Sequence, residues 1–272
     1  MKYTTATAFR RALTDRALQQ GYDHQRWFRM VAFERLLARV FAEPSPHWVL
    51  KGGYALELRL QSKARTTKDI DLSVSPPPLE DLFAMLQEVA ERDLQDFFEF
   101  RIIKGADLQG APEGGLRFQV EAFLDGKQFS SFHLDIGQGD THSTPLEMLP
   151  SKIDFSFAGL APVFFPSYPL RDHFAEKVHA YTRPREHKSR VKDLVDLALL
   201  IELGTPNDSE LYQRIGAVFA TYNTHPLPEV LPEPPQDWLA PFAKLATDLG
   251  LEPPDALLWL VKIQEFIQIS KG

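Results

Sequence analysis

The sequence predicts an α+β chain, in which a mixed sheet flanked by helices is followed by a second domain built of helices. Three observations carry that expectation. Short segments with two-residue alternation cluster between residues 48 and 136. Apolar residues recur at helical spacing in residues 5–41 and again beyond residue 170. A stretch rich in proline and aromatic residues, 163–169, separates the two regimes. At 272 residues the chain has room for two modest domains. The boundary is expected near Pro162, giving a first domain over 1–162, N-terminal helices included, and a helical domain over 163–272.

Taken in order, residues 5–20 and 24–41 predict two helices, the second marked by Phe28, Val31, Leu36, Leu37 and Val40. Pro44-Ser45-Pro46 ends it, and Trp48-Val49-Leu50 reads as a short buried strand running into Lys51-Gly52-Gly53. A helix over 54–60 follows. Ile70, Leu72 and Val74 then alternate with Asp69, Asp71 and Ser73, the period of a strand with one buried face, which Pro76, Pro77 and Pro78 stop. Residues 79–94 predict a helix, and 97–103, 116–124 and 128–136 predict strands. Helices are expected over 170–181, 190–203, 210–222 and 255–269, with the prolines between Pro226 and Pro235 in a loop and no internal repeat.

Composition excludes several classes. Hydrophobic residues at 44% and charged residues at 25% are those of a folded chain. No stretch reaches the roughly 18 apolar residues of a membrane helix, and the N-terminus lacks a secretory apolar run, so no membrane association and a cytoplasmic location are expected. The absence of cysteine rules out thiolate metal sites, and oxygen ligands favour Mg²⁺. Net charge is -7, yet Lys2, Arg10, Arg11, Arg16, Arg26, Arg29, Arg35 and Arg39 make the N-terminal helices basic while the C-terminal part is acidic. That asymmetry suits approach to a polyanion, although arginines on solvated helix faces explain it equally well.

Asp69-Ile70-Asp71 is the informative motif. Residues two apart on a strand project from one face, while Ile70 anchors the strand in the core. Two carboxylates forced together repel unless a cation bridges them. Alone, such a pair is often no more than two solvated carboxylates. The strand, Lys51-Gly52-Gly53 turn and helix upstream raise its weight, because glycine amides at a helix start can cradle phosphate; a plain steric turn is the competing explanation. A third carboxylate would complete a two-metal centre, and Asp135 is the candidate, on the polar face of Phe132-His133-Leu134-Asp135-Ile136. Asp125 and Asp140 compete, but each lies beside a glycine, where turn chemistry accounts for it.

The run Leu50-Lys51-Gly52-Gly53-Tyr54-Ala55-Leu56, followed by Arg65-Thr66-Thr67-Lys68-Asp69-Ile70-Asp71-Leu72, resembles the AbiEii/AbiGii-type nucleotidyltransferase toxins of the DNA polymerase beta-like superfamily. Glu176-Lys177-Val178-His179-Ala180 and Arg190-Val191-Lys192-Asp193-Leu194-Val195-Asp196-Leu197 are similar to that family's downstream motifs. The resemblance extends to the MenT group of mycobacterial toxins, which transfer nucleotides from NTPs to tRNA acceptor ends under restraint by an antitoxin. It implies a polymerase-beta-like nucleotidyltransferase domain and metal binding by Asp69 and Asp71. It further implies phosphate contact by Lys177, an acidic motif at Asp193 or Asp196, and a cognate antitoxin. Superfamily members commonly carry Gly-Ser where this chain has Gly52-Gly53, and this branch often has threonine where Tyr54 stands, a ring that can stack on a base but is expected to pack. Thr67 occupies a hydroxyl position that is a phosphorylation target in some relatives; a loop threonine bonding to its own backbone is the other account.

Arg183, Arg185, Lys188, Arg190 and Lys192 form a basic segment opposed by Glu186 alone. Such a run is usually a solvated face. Here Arg190 and Lys192 are also candidates to neutralise phosphate charge, with Asp193 and Asp196 on one helix face orienting the cations. The expectation is therefore a two-metal, Mg²⁺-dependent enzyme, using Asp69, Asp71, Asp135 and Lys177, with Lys51, Gly52, Gly53, Thr67, Arg190, Lys192, Asp193 and Asp196 around the NTP. A 3′-hydroxyl of RNA, by the resemblance that of tRNA, would attack the α-phosphate and block translation. Transfer to a small-molecule or protein hydroxyl, and a non-catalytic module binding nucleic acid or a partner, are the alternatives.

Overall fold

A computed structural model describes residues 1–43, 48–60, 65–74, 81–108, 114–184 and 190–272. Helices α1 (Ala6–Gln19) and α2 (His24–Val40) open the chain, each fixed at its start by a side-chain cap: Thr5 accepts from the Ala8 amide and Asp23 from the Arg26 amide. Then come β1 (Trp48–Lys51), α3 (Gly52–Leu60), β2 (Asp69–Val74), α4 (Leu82–Glu91), β3 (Phe98–Asp107), β4 (Gly115–Leu124), β5 (Lys127–Gln138), β6 (Glu147–Pro150) and β7 (Phe164–Ser167). Helices α5 (Leu170–Thr182), α6 (Val191–Glu202), α7 (Ser209–Tyr222), α8 (Gln236–Leu249) and α9 (Ala256–Lys271) complete it. This is the predicted α+β class.

Two compact units emerge. The first takes in residues within Met1–Gln61, Thr66–Asp140 and Glu147–Ser167; the second lies within Ser62–Arg65, Thr141–Leu146 and Tyr168–Gly272. The described strands of the first unit form one mixed sheet in the order β3-β4-β5-β2-β1-β7-β6. Central β2 runs antiparallel to β1 and parallel to β5. Its Ile70, Leu72 and Val74 are buried, as are Phe132, Leu134 and Ile136 of β5, and α2 packs over β5. Phe33 on α2 meets Phe132 and Tyr54 edge to face, at 4.7 and 5.0 Å between ring centroids. Alternation leaves Asp69, Asp71 and Asp135 on the other face.

Sequence periodicity anticipates α1 to α5, α6, α7, α9 and β1 to β5 closely. It misses β6 and β7, four residues each and bearing Pro150 and Pro166, because strands so short show almost no alternation. It also misses α8, whose interior holds Pro241 directly after the proline-rich loop. The proline segments 44–46 and 76–78, and Arg185, Glu186 and Lys188 of the basic segment, lie outside the described residues. In the helical unit Phe174, Val178, Leu194, Leu197, Leu211, Ile215, Phe242, Trp259 and Ile263 form the core. No described helix is long and apolar enough to cross a membrane.

Candidate active site

The site is assembled by strand register. Lys51 stands opposite Asp71 across the β1–β2 ladder, Asp135 opposite Asp71 across β2–β5, and His133 opposite Asp69. At the end of β1 the chain leaves the sheet through Gly52 at φ +64°, in the left-handed region, and starts α3. A Cβ at Gly52 would collide with the Asp71 carboxylate, and the Gly53 amide donates to Asp71 Oδ2 at 3.4 Å. The amide expected from sequence to meet a phosphate is thus directed at Asp71. Glycine is required here so that a carboxylate can lie against the turn.

Asp135 is brought beside the pair but is already engaged. Arg117, its cross-strand neighbour on β4, donates to both oxygens, Nε to Oδ1 at 2.7 Å and Nη2 to Oδ2 at 2.6 Å. These bonds raise the arginine's pKa first, and the fields of Asp69 and Asp71 add to them. Sequence reasoning did not find Arg117, because its place opposite Asp135 is set by the β4–β5 register. Among the described residues no group of three or more carboxylates or histidines is arranged to hold a metal. Asp69, with its side chain 39% exposed, and Asp71 share one face of β2. Their oxygens suit Mg²⁺, which commonly takes one or two protein carboxylates and keeps several waters. His133 Nδ1 lies 3.4 Å from Asp69 Oδ1.

The other candidates of this unit are committed. Lys51 pairs with buried Asp140, which explains that aspartate, and Asp125 sits at positive φ in the β4–β5 turn, accepting from Thr7. The buried Thr67 donates its hydroxyl to the Asp69 carbonyl at 3.2 Å and its amide to Glu57 Oε2 at 3.3 Å. Tyr54 packs: fully buried, it donates to Glu34 Oε1 at 3.1 Å.

Sequence also conceals a buried charge system. Glu34 accepts from the amides of Lys152 at 2.6 Å and Ile153, and burial pushes its carboxyl up to about 7. Arg26 and Lys152 pair with buried Glu57. Arg35 and Arg39, counted among the basic residues of the N-terminal helices, are buried on Asp96. Burial would raise the Asp96 carboxyl, yet the two arginines outweigh it and lower it. Those two cations face no polyanion.

The helical unit holds a second constellation. Lys177 Nζ lies 2.9 Å from Asp193 Oδ1 and 2.8 Å from Asp196 Oδ2. Arg65 forks onto both oxygens of Asp196, each at 2.8 Å, and Arg190 donates to Asp193 at 3.0 Å. Burial opposes the charge on Lys177, but the two aspartates overcome it and raise its pKa. Burial likewise opposes ionisation of Asp196, whose carboxyl Lys177 and Arg65 hold at about 2. Lys192 is exposed on α6.

A mixed sheet with flanking helices thus presents Asp69 and Asp71 on one strand face, with Asp71 against a glycine turn. A family model described as "Nucleotidyl transferase AbiEii toxin, Type IV TA system" matches residues 35–262, and the chain belongs to this family of nucleotidyltransferase toxins. Membership implies an NTP substrate and an antitoxin partner. Among solved structures, the chain is similar to MenT4, nucleotidyltransferase toxin Rv2826c from Mycobacterium tuberculosis H37Rv. The TM-score is 0.57 at 17% identity, over 99% of this chain and 100% of that one, a likeness of fold. No curated protein sequence matches.

Proposed function

We propose that the chain transfers an NMP from an NTP to the 3′ end of an RNA, namely tRNA, in a Mg²⁺-dependent reaction that blocks translation in the cytoplasm. The observation carrying this reading is the placement of Asp71 against Gly52 and Gly53, beside Asp69 on the same strand face. A fold that accepts no side chain at Gly52, so as to hold a carboxylate next to a second one, is built for cation-assisted phosphate chemistry.

Asp69 and Asp71 are the residues to hold Mg²⁺. Bound there, the ion would offset charge on the α-phosphate and the departing pyrophosphate. The 3′-hydroxyl gives its proton up to solvent and its oxygen forms a bond to the α-phosphorus as the bond to pyrophosphate breaks. Asp135 joins a second cation only on releasing Arg117. Within its own unit, Lys177 has two of its three ammonium donors on aspartates, leaving one for a phosphate, the role its family motif implies. In the same unit Arg190 and Lys192 are the accompanying phosphate contacts, with Asp193 and Asp196 orienting the cations.

The test is incubation with each labelled NTP and total tRNA, protein extract or an aminoglycoside. Label in tRNA is expected, together with its loss in Asp69→Asn, by about 10²–10³-fold or more, at an almost unchanged melting temperature. Full activity in Asp69→Asn would overturn the assignment.

A further inference from the structure

The parallel β2–β5 ladder starts at Asp69 and His133, although β5 itself begins at Lys127. The sheet therefore has a step where β2 enters, and a cavity of about 350 Å³ lies there, lined by Arg29, Lys68, Asp69, Gln119, Ser131 and His133 among others. It falls within the size range of small-ligand cavities, about 300–1,000 Å³, near the lower end. The glycine turn grips Asp71; this cavity is walled by Asp69.

Its cations set it apart. Lys51 and Arg117 are tied to Asp140 and Asp135, and on α2 Arg26, Arg35 and Arg39 are tied to Glu57 and Asp96. Arg29 and Lys68 have no carboxylate partner among the described residues, and both open on this cavity. Two uncompensated cations beside a reactive carboxylate attract an anion and repel a polycationic acceptor such as an aminoglycoside. Gln119, Ser131 and His133 add neutral hydrogen-bonding groups suited to sugar or base edges.

We infer that this cavity is the acceptor subsite, where Arg29 and Lys68 bind the last two phosphodiesters of a single-stranded nucleic-acid end and leave its terminal hydroxyl at Asp69. The inference rests on the nucleotidyl-transfer reading and adds the place where the acceptor's end is held and the two cations that hold it.

The experiment measures tRNA retention by the full-length wild type and by Arg29→Gln/Lys68→Gln across a salt series, with NTP- and Mg²⁺-induced thermal shift measured in parallel. The double variant should bind tRNA about tenfold or more weakly, and its log K against log[salt] slope should be shallower by about 1.4, the value for two single-strand phosphate contacts. The NTP-induced shift should persist. Lys68→Gln alone, at an exposed position, should give about half the slope change; Arg29→Lys/Lys68→Arg should restore the slope, which loss of a merely structural contact would not predict. If wild type labels tRNA while the double variant keeps wild-type affinity and slope, the subsite is wrong and the transfer reading stands. If wild type labels only an aminoglycoside or protein, the transfer-to-RNA reading falls and the subsite with it.

Discussion

The carboxylate face of the sheet and the Lys177 group of the helical unit contain the same kinds of side chain, yet they differ in how far their aspartates are buried. Asp69 has a weak histidine neighbour and a half-open side chain; Asp71 rests on a glycine turn. In the helical unit each aspartate meets two cations, and Asp196 is fully buried. A carboxylate left partly open to solvent, as Asp69 is, is available for chemistry, whereas buried charge paired with cations first of all holds helices together. The sharpest way to break that contrast is Asp196→Ala, which leaves Arg65 and Lys177 facing a hole. A stability loss of about 3–5 kcal/mol is expected in denaturant titration. The wild type should also lose this contribution in acid, because Asp196 ionises near 2 when folded and near 3.8 when unfolded: the stability is present above pH 3.8 and fades towards pH 2. A stable Asp196→Ala that has lost transfer would move this group from architecture to chemistry.

On the other side of the comparison, Gly52→Ala should act on activity. The new methyl meets the Asp71 carboxylate and also strains a left-handed backbone, by about 1–2 kcal/mol. With Asp71 displaced, transfer should fall by about 10²–10³-fold, close to the effect of removing a transition-state contact. Near-normal turnover in single-turnover assays would show that the close approach of Gly52 and Asp71 is dispensable.

Glu34 is a buried carboxyl of the first unit, and pH reads it. Its carboxyl ionises near 4.5 in the unfolded chain and at about 7 when folded, so across that window the unfolded state binds fewer protons and stability falls as pH rises. The whole effect is on the order of 3 kcal/mol. Glu34→Gln keeps an acceptor for the Lys152 and Ile153 amides, and its melting temperature relative to wild type should climb between pH 5 and 8. A parallel pair of pH profiles would remove Glu34 as the cause.

How far the sequence reaches differs between these groups for a physical reason. Alternation along Asp69–Val74 and around Asp135 places three carboxylates on one face, because period and register suffice for that. Pairings between distant segments leave no periodic trace: Arg117 on Asp135, Arg35 and Arg39 on Asp96, and Lys51 on Asp140 appear only once strands and helices pack. The same limit hides β6 and β7, which owe their existence to a neighbour rather than to their own pattern.

Thr67 gives the smallest and finest test, since it stands where chemistry and architecture meet. Its hydroxyl bonds to the Asp69 carbonyl and its amide to Glu57, so it steers the entry of β2 from the inside. Thr67→Val keeps the shape and the amide while deleting the hydroxyl. A loss of about 1 kcal/mol is expected from one hydrogen bond, with KM for NTP unchanged. A raised KM at unchanged stability would instead place that hydroxyl on the nucleotide, and the carboxylate face would then begin two residues earlier than its aspartates.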